Sequence, residues 1–128
     1  MAEKIIVLTS SKCILILELT QDENWSSLDQ LQRIVGGYIE TVKPRVLHDP
    51  YLIVCNEEGL LRGYARNEAA TELVYGFSDG EIVGDVVIMK SGMRNGEPDI
   101  VGMDDEEATA LANELAATFP WLQIIVHQ

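Results

Sequence analysis

The chain has 128 residues, of which 47% are hydrophobic, and a formal net charge of −12 at pH 7. This length suits one domain, residues 1–128, that buries enough apolar surface to fold without disulfides or a structural metal. The apolar runs are much shorter than the roughly 18 residues of a membrane span, and an acidic chain binds phosphate backbones poorly. Composition therefore argues against a membrane protein and against direct binding of nucleic acid.

The N-terminal segment predicts a β-hairpin rather than an export signal. Residues 4–9 and 13–20 are rich in Ile, Val and Leu, and a short polar linker joins them. Since Cys13 and Cys55 are the two cysteines of the chain, we expect a cytoplasmic protein with both thiols free.

The following segment predicts a helix and then a strand. Ser26 and its neighbour are candidate N-caps, apolar residues then recur at helical spacing, and Gly36 is typical of a helix end. Residues 38–43 are β-rich and stop before Pro44, which cannot donate to a ladder. Residues 45–50 predict an irregular loop.

The middle of the chain predicts a central strand, a turn and a second helix. Residues 51–55 form a nearly continuous apolar run, as in buried strands. Residues 56–59 are typical of a turn, which we expect to return the chain through a strand at residues 60–61. Asn67 is a good N-cap for a short helix that Gly76 closes.

The second half predicts three more strands and a third helix. Residues 82–89 form the strongest strand, in which Gly84 marks either a bulge or a place where another backbone or a ligand comes close. Arg94-Asn95-Gly96 is a hairpin turn signal that leads into a return strand. Asp104 begins a helix that stops before Pro120, and residues 121–126 predict a terminal strand. This order predicts an α+β fold with a mainly antiparallel sheet packed by two or three helices.

The sequence offers no catalytic centre. His48 and His127 are isolated, the cysteines and histidines lack zinc-ligand spacing, and no phosphate-binding glycine loop is present. Carboxylates at residues 57–58 and 104–107 are better explained by a turn and a helix cap than by acid–base catalysis or Ca²⁺ binding. We therefore predict a protein that is not an enzyme and that has no metal and no cofactor.

Charge is unevenly distributed along the chain. Residues 33–66 carry five bases and four acids, a net charge of +1, whereas the remainder carries four bases and seventeen acids, a net charge of −13. Within the nearly neutral part, Arg62, Tyr64, Arg66 and Asn67 precede a helix N-terminus, which itself attracts anions. Guanidinium groups bind phosphate, an aromatic ring stacks on a base, and Asn pairs with the edge of adenine. The alternative is that the two arginines pair with nearby glutamates and that Asn67 only caps the helix.

Three segments carry a resemblance to a known family: LQRIVGGYIETV, IVCNEEGLLRGYARNEAAT and EIVGDVVIM, in this order. Together they resemble a domain family of unknown function that is common in bacteriophages and mobile elements, over residues 26–90. The family pattern implies Leu-Pro where this chain has Tyr64-Ala65, so we expect a reshaped turn there.

In size and style the chain is also similar to phage anti-defence sponges, in particular the first family of anti-Thoeris proteins. This resemblance implies a homo-oligomer, a dimer or hexamer, that sequesters a cyclic nucleotide of the cyclic ADP-ribose type or a cyclic oligonucleotide. Candidate ligand-binding residues are then Arg62, Tyr64, Arg66, Asn67 and Phe77, with arginines on phosphate and rings on adenine. Two alternatives stay open: an acidic protein that binds a host DNA-handling or defence protein, and an enzyme that turns over a nucleotide.

Overall fold

A computed structural model describes residues 3–20, 27–76 and 79–125. These residues form three helices and seven strands. In chain order the elements are β1 (Lys4–Leu8), β2 (Cys13–Glu18), α1 (Ser27–Val35), β3 (Ile39–Val42), β4 (Tyr51–Asn56), α2 (Glu68–Tyr75), β5 (Val86–Arg94), β6 (Glu97–Val101), α3 (Asp105–Thr118) and β7 (Gln123–Ile125).

The strands form one sheet in the order β3-β4-β5-β1-β2-β7, and β6 pairs with β5. Each pair is antiparallel except β2 with β7, which is parallel. The predicted α+β class with a mainly antiparallel sheet and three helices is therefore confirmed.

Helices cover both faces of this sheet, which explains why its central strands are apolar throughout. In β1, Ile6 and Leu8 pack in one core with α2 and α3, whereas Ile5 and Val7 pack in a second core with α1. Successive side chains of a strand point to opposite faces, so strands buried on both faces need continuous apolar runs. No helix of the described ranges is long and apolar enough to cross a membrane.

Local signals in the sequence locate several element ends correctly. Asn67 and Asp104 cap α2 and α3, accepting hydrogen bonds from Ala70 N and Glu107 N respectively. The hairpin turn between β5 and β6 is confirmed, because Asn95 has a φ of 53° and the following glycine one of 81°. Such signals succeed because the geometry they specify is local.

Two strand predictions are wrong in position. Residues 60–61 form turns instead of a strand, because the carbonyls of Glu58 and Gly59 accept hydrogen bonds from the amides of Arg62 and Tyr64. The strand expected at residues 82–89 is Val86–Arg94, and Gly84 precedes it instead of forming a bulge within it. The predicted cap Ser26, the end of the predicted terminal strand at residue 126 and His127 lie outside the described residues.

Candidate functional site

Tyr64 joins the three sequence segments LQRIVGGYIETV, IVCNEEGLLRGYARNEAAT and EIVGDVVIM. Its ring lies against Gly36 and Gly84, which have φ angles of 87° and 79°. A Cβ built on Gly36 would lie 2.6 Å from the tyrosine hydroxyl, and one on Gly84 would lie 2.9 Å from Cδ2 of the ring. Both positions thus require glycine, for backbone conformation and for space.

Asn56 fixes the end of α1 to the end of β4. Its Nδ2 donates to the carbonyl of Val35 at 3.0 Å, and its Oδ1 accepts from the amide of Glu58 at 2.7 Å. The side chain is buried, and its bond to Val35 is made away from bulk water. The two hydrogen bonds hold the loop after β4 in place.

Asn67 makes the corresponding connection at the start of α2. It has no exposed surface, and its Nδ2 donates to the carbonyls of Leu8 at 3.0 Å and Gly84 at 2.8 Å while its Oδ1 caps the helix. Since these bonds occupy the amide group, Asn67 is a structural residue. We refer to Gly36, Asn56, Tyr64, Asn67 and Gly84 as the motif junction.

The two candidate arginines make ion pairs with glutamates. Arg62 Nη2 lies 3.8 Å from Glu58 Oε1, and Arg66 lies 3.1 Å from Glu68 through Nε and 3.5 Å from Glu81 through Nη1. The hydrogen bond to Glu68 is the main reason that the pKa of Arg66 is raised above its ordinary value. The predicted alternative, in which the arginines pair with nearby glutamates and Asn67 caps the helix, is confirmed for these contacts.

One cleft of about 340 Å³ is lined by Glu58, the partner of Arg62, and by Glu81, a partner of Arg66. Four carboxylates line this cleft: Glu40, Glu57, Glu58 and Glu81. No lysine or arginine is among its lining residues in the described part of the chain. We call it the acidic cleft. Its potential favours a cation over an anion, although Arg62 and Arg66 lie beside it through their glutamate partners.

The rim of the acidic cleft is apolar and exposed. Leu60 and Leu61, in the loop after β4, keep 65% and 86% of their surface exposed. Tyr75, the last residue of α2, also contributes to the lining. The cleft therefore has two adjacent apolar side chains exposed beside its charged groups.

Cys55 also lines the acidic cleft, but it is not a reactive thiol. Only 3% of its surface is exposed, and its Sγ lies 3.8 Å from Glu40 Oε1. Burial, with a further contribution from the Glu40 carboxylate, raises the pKa of the thiol to about 12. The thiol stays protonated at neutral pH, and a protonated thiol is a poor nucleophile.

Sequence reasoning located part of this surface and missed the rest. Arg62 and Arg66 were predicted, and they flank the cleft through their partners. Glu40 and Glu81 were missed, because they come from β3 and from the segment before β5 and meet only in the folded chain. The two exposed leucines did carry a signal, an apolar pair inside a polar turn, but it was interpreted as a strand. Phe77 lies outside the described residues.

Comparison with known proteins gives a family and a fold. The family model described as Domain of unknown function (DUF3846) matches residues 3–119. A solved structure described as the crystal structure of small RNA methyltransferase HEN1 is similar with a TM-score of 0.55 and 14% sequence identity, covering 81% of this chain. This chain spans 15% of that protein, and at this identity the likeness shows the fold alone. No curated protein matches the chain.

Proposed function

Because the chain belongs to the family described as Domain of unknown function (DUF3846), whose name assigns no activity, we propose its function from the acidic cleft. The protein is a non-enzymatic binding protein that docks a positively charged segment of a partner protein. The observation that carries this proposal is the combination of four carboxylates in a cleft of about 340 Å³ with two adjacent leucines exposed at its rim.

The charges favour a basic partner for a simple reason. Complementary potentials steer association and select against wrong partners, whereas like charges oppose it. In this cleft a phosphate-bearing ligand faces four carboxylates, while a lysine- or arginine-rich segment gains from each of them. Proteins that handle DNA present such segments on their DNA-binding surfaces, which supports the alternative of an acidic protein that binds a host DNA-handling or defence protein.

The exposed leucines provide the apolar part of the interface. Charged pairs at an interface rim add little affinity, and most binding energy comes from a few side chains that become fully buried. Leu61 is the natural anchor, because it is 86% exposed and therefore has almost its whole side chain left to bury.

Capture experiments with paired variants test this proposal. The wild-type chain immobilised as bait is compared with Leu60→Ser/Leu61→Ser and with Glu57→Gln/Glu58→Gln. Leu28→Ser is the control, since Leu28 is half exposed but belongs to α1 and not to the cleft. We expect a basic partner whose capture falls about tenfold or more with both cleft variants and is unchanged with the control. Salt should release this partner, and duplex DNA should displace it. Partners retained equally by all variants would contradict the proposal.

A second candidate function is sequestration of a cyclic nucleotide, as the resemblance to anti-defence sponges implies. It is supported by Arg62 and Arg66, whose glutamate partners line the same cleft and whose side chains are about half exposed. Exposed ion pairs are weak, so a phosphate is able to take an arginine from its glutamate at little cost. In this role the protein is a phage-encoded homo-oligomer in the host cytoplasm.

Calorimetry distinguishes the two functions. A panel of cyclic ADP-ribose-type molecules and cyclic oligonucleotides is titrated into wild type and Arg62→Ala/Arg66→Ala, and the native mass is measured in parallel. A sponge binds one of them, loses it in the double variant, and releases it intact after heat denaturation. Chemically altered ligand would instead indicate an enzyme, and the absence of binding across the panel would eliminate the sponge.

A further inference from the structure

A second groove, separate from the acidic cleft, has features of a ligand site. It has a volume of about 360 Å³ and is lined by Lys12, Glu68, Glu72, Phe119 and Trp121. We call it the Trp121 groove. The β1–β2 turn, one side of α2 and the end of α3 contribute to it.

The indole of Trp121 is held in place but left open. It packs against Phe119, the C-cap residue of α3, with ring centroids 5.4 Å apart and planes tilted by 47°. Phe119 is buried, whereas 44% of the surface of Trp121 is exposed. The face of an indole carries negative electrostatic potential, and it attracts cations more strongly than the face of any other side chain.

This ring already interacts with an ammonium group from its own chain. Lys12 Nζ lies 5.5 Å from the centroid of the Trp121 ring. The backbone of Lys12 is fixed in the left-handed region, with a φ of 71°, by hydrogen bonds from its amide to the carbonyl of Thr9 and from the amide of Gln123 to its own carbonyl. Lys12 thus occupies the position that a cationic ligand would take.

Two carboxylates add to the negative potential that the indole face gives the groove. Glu68 and Glu72 lie one helical turn apart on α2, which places them on the same side of that helix. Glu68 pairs with Arg66, whereas Glu72 forms no salt bridge with a base anywhere in residues 3–20, 27–76 or 79–125. Among the described residues that line the groove Lys12 is the single base, so a phosphate there would face both carboxylates. An organic cation satisfies the carboxylates and the indole together.

We infer that the Trp121 groove binds an organic ammonium ion, a quaternary or methylated amine, which displaces Lys12 from the indole face. An alkylated ammonium suits the groove better than a metal ion, because it is weakly hydrated and brings apolar groups that pack on the ring. The inference is independent of the acidic cleft, since no residue that the structure describes lines both surfaces.

Fluorescence of Trp121 provides the direct test. A Trp25→Phe background leaves Trp121 as the single tryptophan of the chain. Choline is titrated against 3,3-dimethyl-1-butanol, which has the same shape without the charge. We expect a saturable change with choline and none with the neutral alcohol. Equal responses to both, or no saturable response to choline, would overturn the inference. A peptide that contains trimethyl-lysine, titrated in the same way, shows by its relative affinity whether the ligand is a free amine or a modified protein.

Three variants connect the response to the groove. Lys12→Asn removes the competing ammonium and keeps a residue that tolerates a positive φ, so choline affinity should rise about two- to fivefold. Glu72→Gln should lower it by a similar factor, whereas Glu97→Gln, an equal charge change on the exposed strand β6, should leave it unchanged. Each variant is checked for folding by circular dichroism. Affinity that is unaffected by both Lys12→Asn and Glu72→Gln would place any binding elsewhere and refute the site.

Discussion

The motif junction and the acidic cleft are adjacent and share the loop after β4, yet their polar side chains have opposite surroundings. In the junction, Asn56 and Asn67 are buried and make hydrogen bonds with both ends of their amide groups. In the cleft, carboxylates line an open surface and pair with half-exposed arginines. One conspicuous stretch of sequence, NEEGLLRGYARN, thus contains residues that specify the fold and residues that are available for binding. The consequence is that stability and binding should respond to different substitutions.

The largest effect on stability is expected at Asn67. Asn67→Ala removes a helix cap and the hydrogen bonds that the buried amide donates to the carbonyls of Leu8 and Gly84. A cap contributes about 1 kcal/mol and each of these buried hydrogen bonds contributes about 1 kcal/mol, so we expect a loss of about 3 kcal/mol. Urea denaturation measures it. Asp104→Ala is the matched control, because that cap is exposed and, within the described part of the chain, its side chain makes the helix-capping bond alone; it should cost about 1 kcal/mol. Equal losses at both caps would remove the distinction between junction and surface.

A somewhat smaller loss is expected at Gly84. Alanine there meets two costs, a φ of 79° and a Cβ that would lie 2.9 Å from the ring of Tyr64, and we expect a loss of about 2 kcal/mol. Gly96→Ala separates the two costs. Gly96 has a φ of 81°, and apart from its chain neighbours no described residue has an atom within 4 Å of a built Cβ, so it reports the backbone strain alone, about 1 kcal/mol. Identical denaturation midpoints for the two variants would show that the Tyr64 contact is unimportant.

The sequence predicts those parts of the junction that depend on neighbouring residues. Asn67 was identifiable as a cap, and Gly36 as a helix end, because a cap or a positive φ depends on one turn of chain. For Gly84 the sequence predicts a bulge or a close approach of another backbone or a ligand, but not the residues that make the contact. The contact at Gly84 is made by Tyr64, 20 positions earlier, and by the hydrogen bond from Asn67. In the sequence, a glycine that contacts a distant ring has the same pattern as a glycine within a strand.

The acidic cleft was less predictable than the fold for a related reason. Helices and hairpins follow from periodicity and turn residues, whereas the cleft requires β3, the loop after β4 and the segment before β5 to come together. In the sequence, the charges of residues 33–66 sum to nearly zero. In the folded chain Glu81 joins Glu57 and Glu58, so the surface is acidic. Likewise, the parallel pairing of β7 with β2 joins residues more than 100 positions apart and has no local signal.

The hydrogen-bond network around Glu107 is partly buried, and its loss should have an intermediate effect on stability. Glu107 accepts hydrogen bonds from Lys90 Nζ at 2.8 Å and from the Tyr51 hydroxyl at 2.7 Å. Burial alone would raise the pKa of Glu107, but these two hydrogen bonds lower it below its ordinary value. We expect Glu107→Gln to cost about 1 kcal/mol at pH 7, since a partly exposed pair contributes less than a buried one.

The sign of the pH dependence follows from the lowered pKa. Glu107 contributes its stability fully above its ordinary pKa of 4.5 and loses it as the pH falls through the lower value in the folded state. The difference in unfolding free energy between wild type and Glu107→Gln should therefore be constant near neutral pH and shrink below pH 4.5. A difference that grows in acid would contradict this assignment.

The smallest effect on stability is expected in the acidic cleft, and it completes the comparison. Glu57→Gln/Glu58→Gln removes two charges from a surface that carries an excess of them, and breaks one exposed ion pair at 3.8 Å. Such pairs contribute between zero and about 1 kcal/mol, and relief of repulsion among the cleft carboxylates offsets part of this. We therefore expect a change of less than about 0.5 kcal/mol in urea denaturation, together with the loss of partner capture described above. A loss as large as that of Asn67→Ala would mean that these glutamates hold the loop in place, and the cleft would then belong to the fold as the junction does.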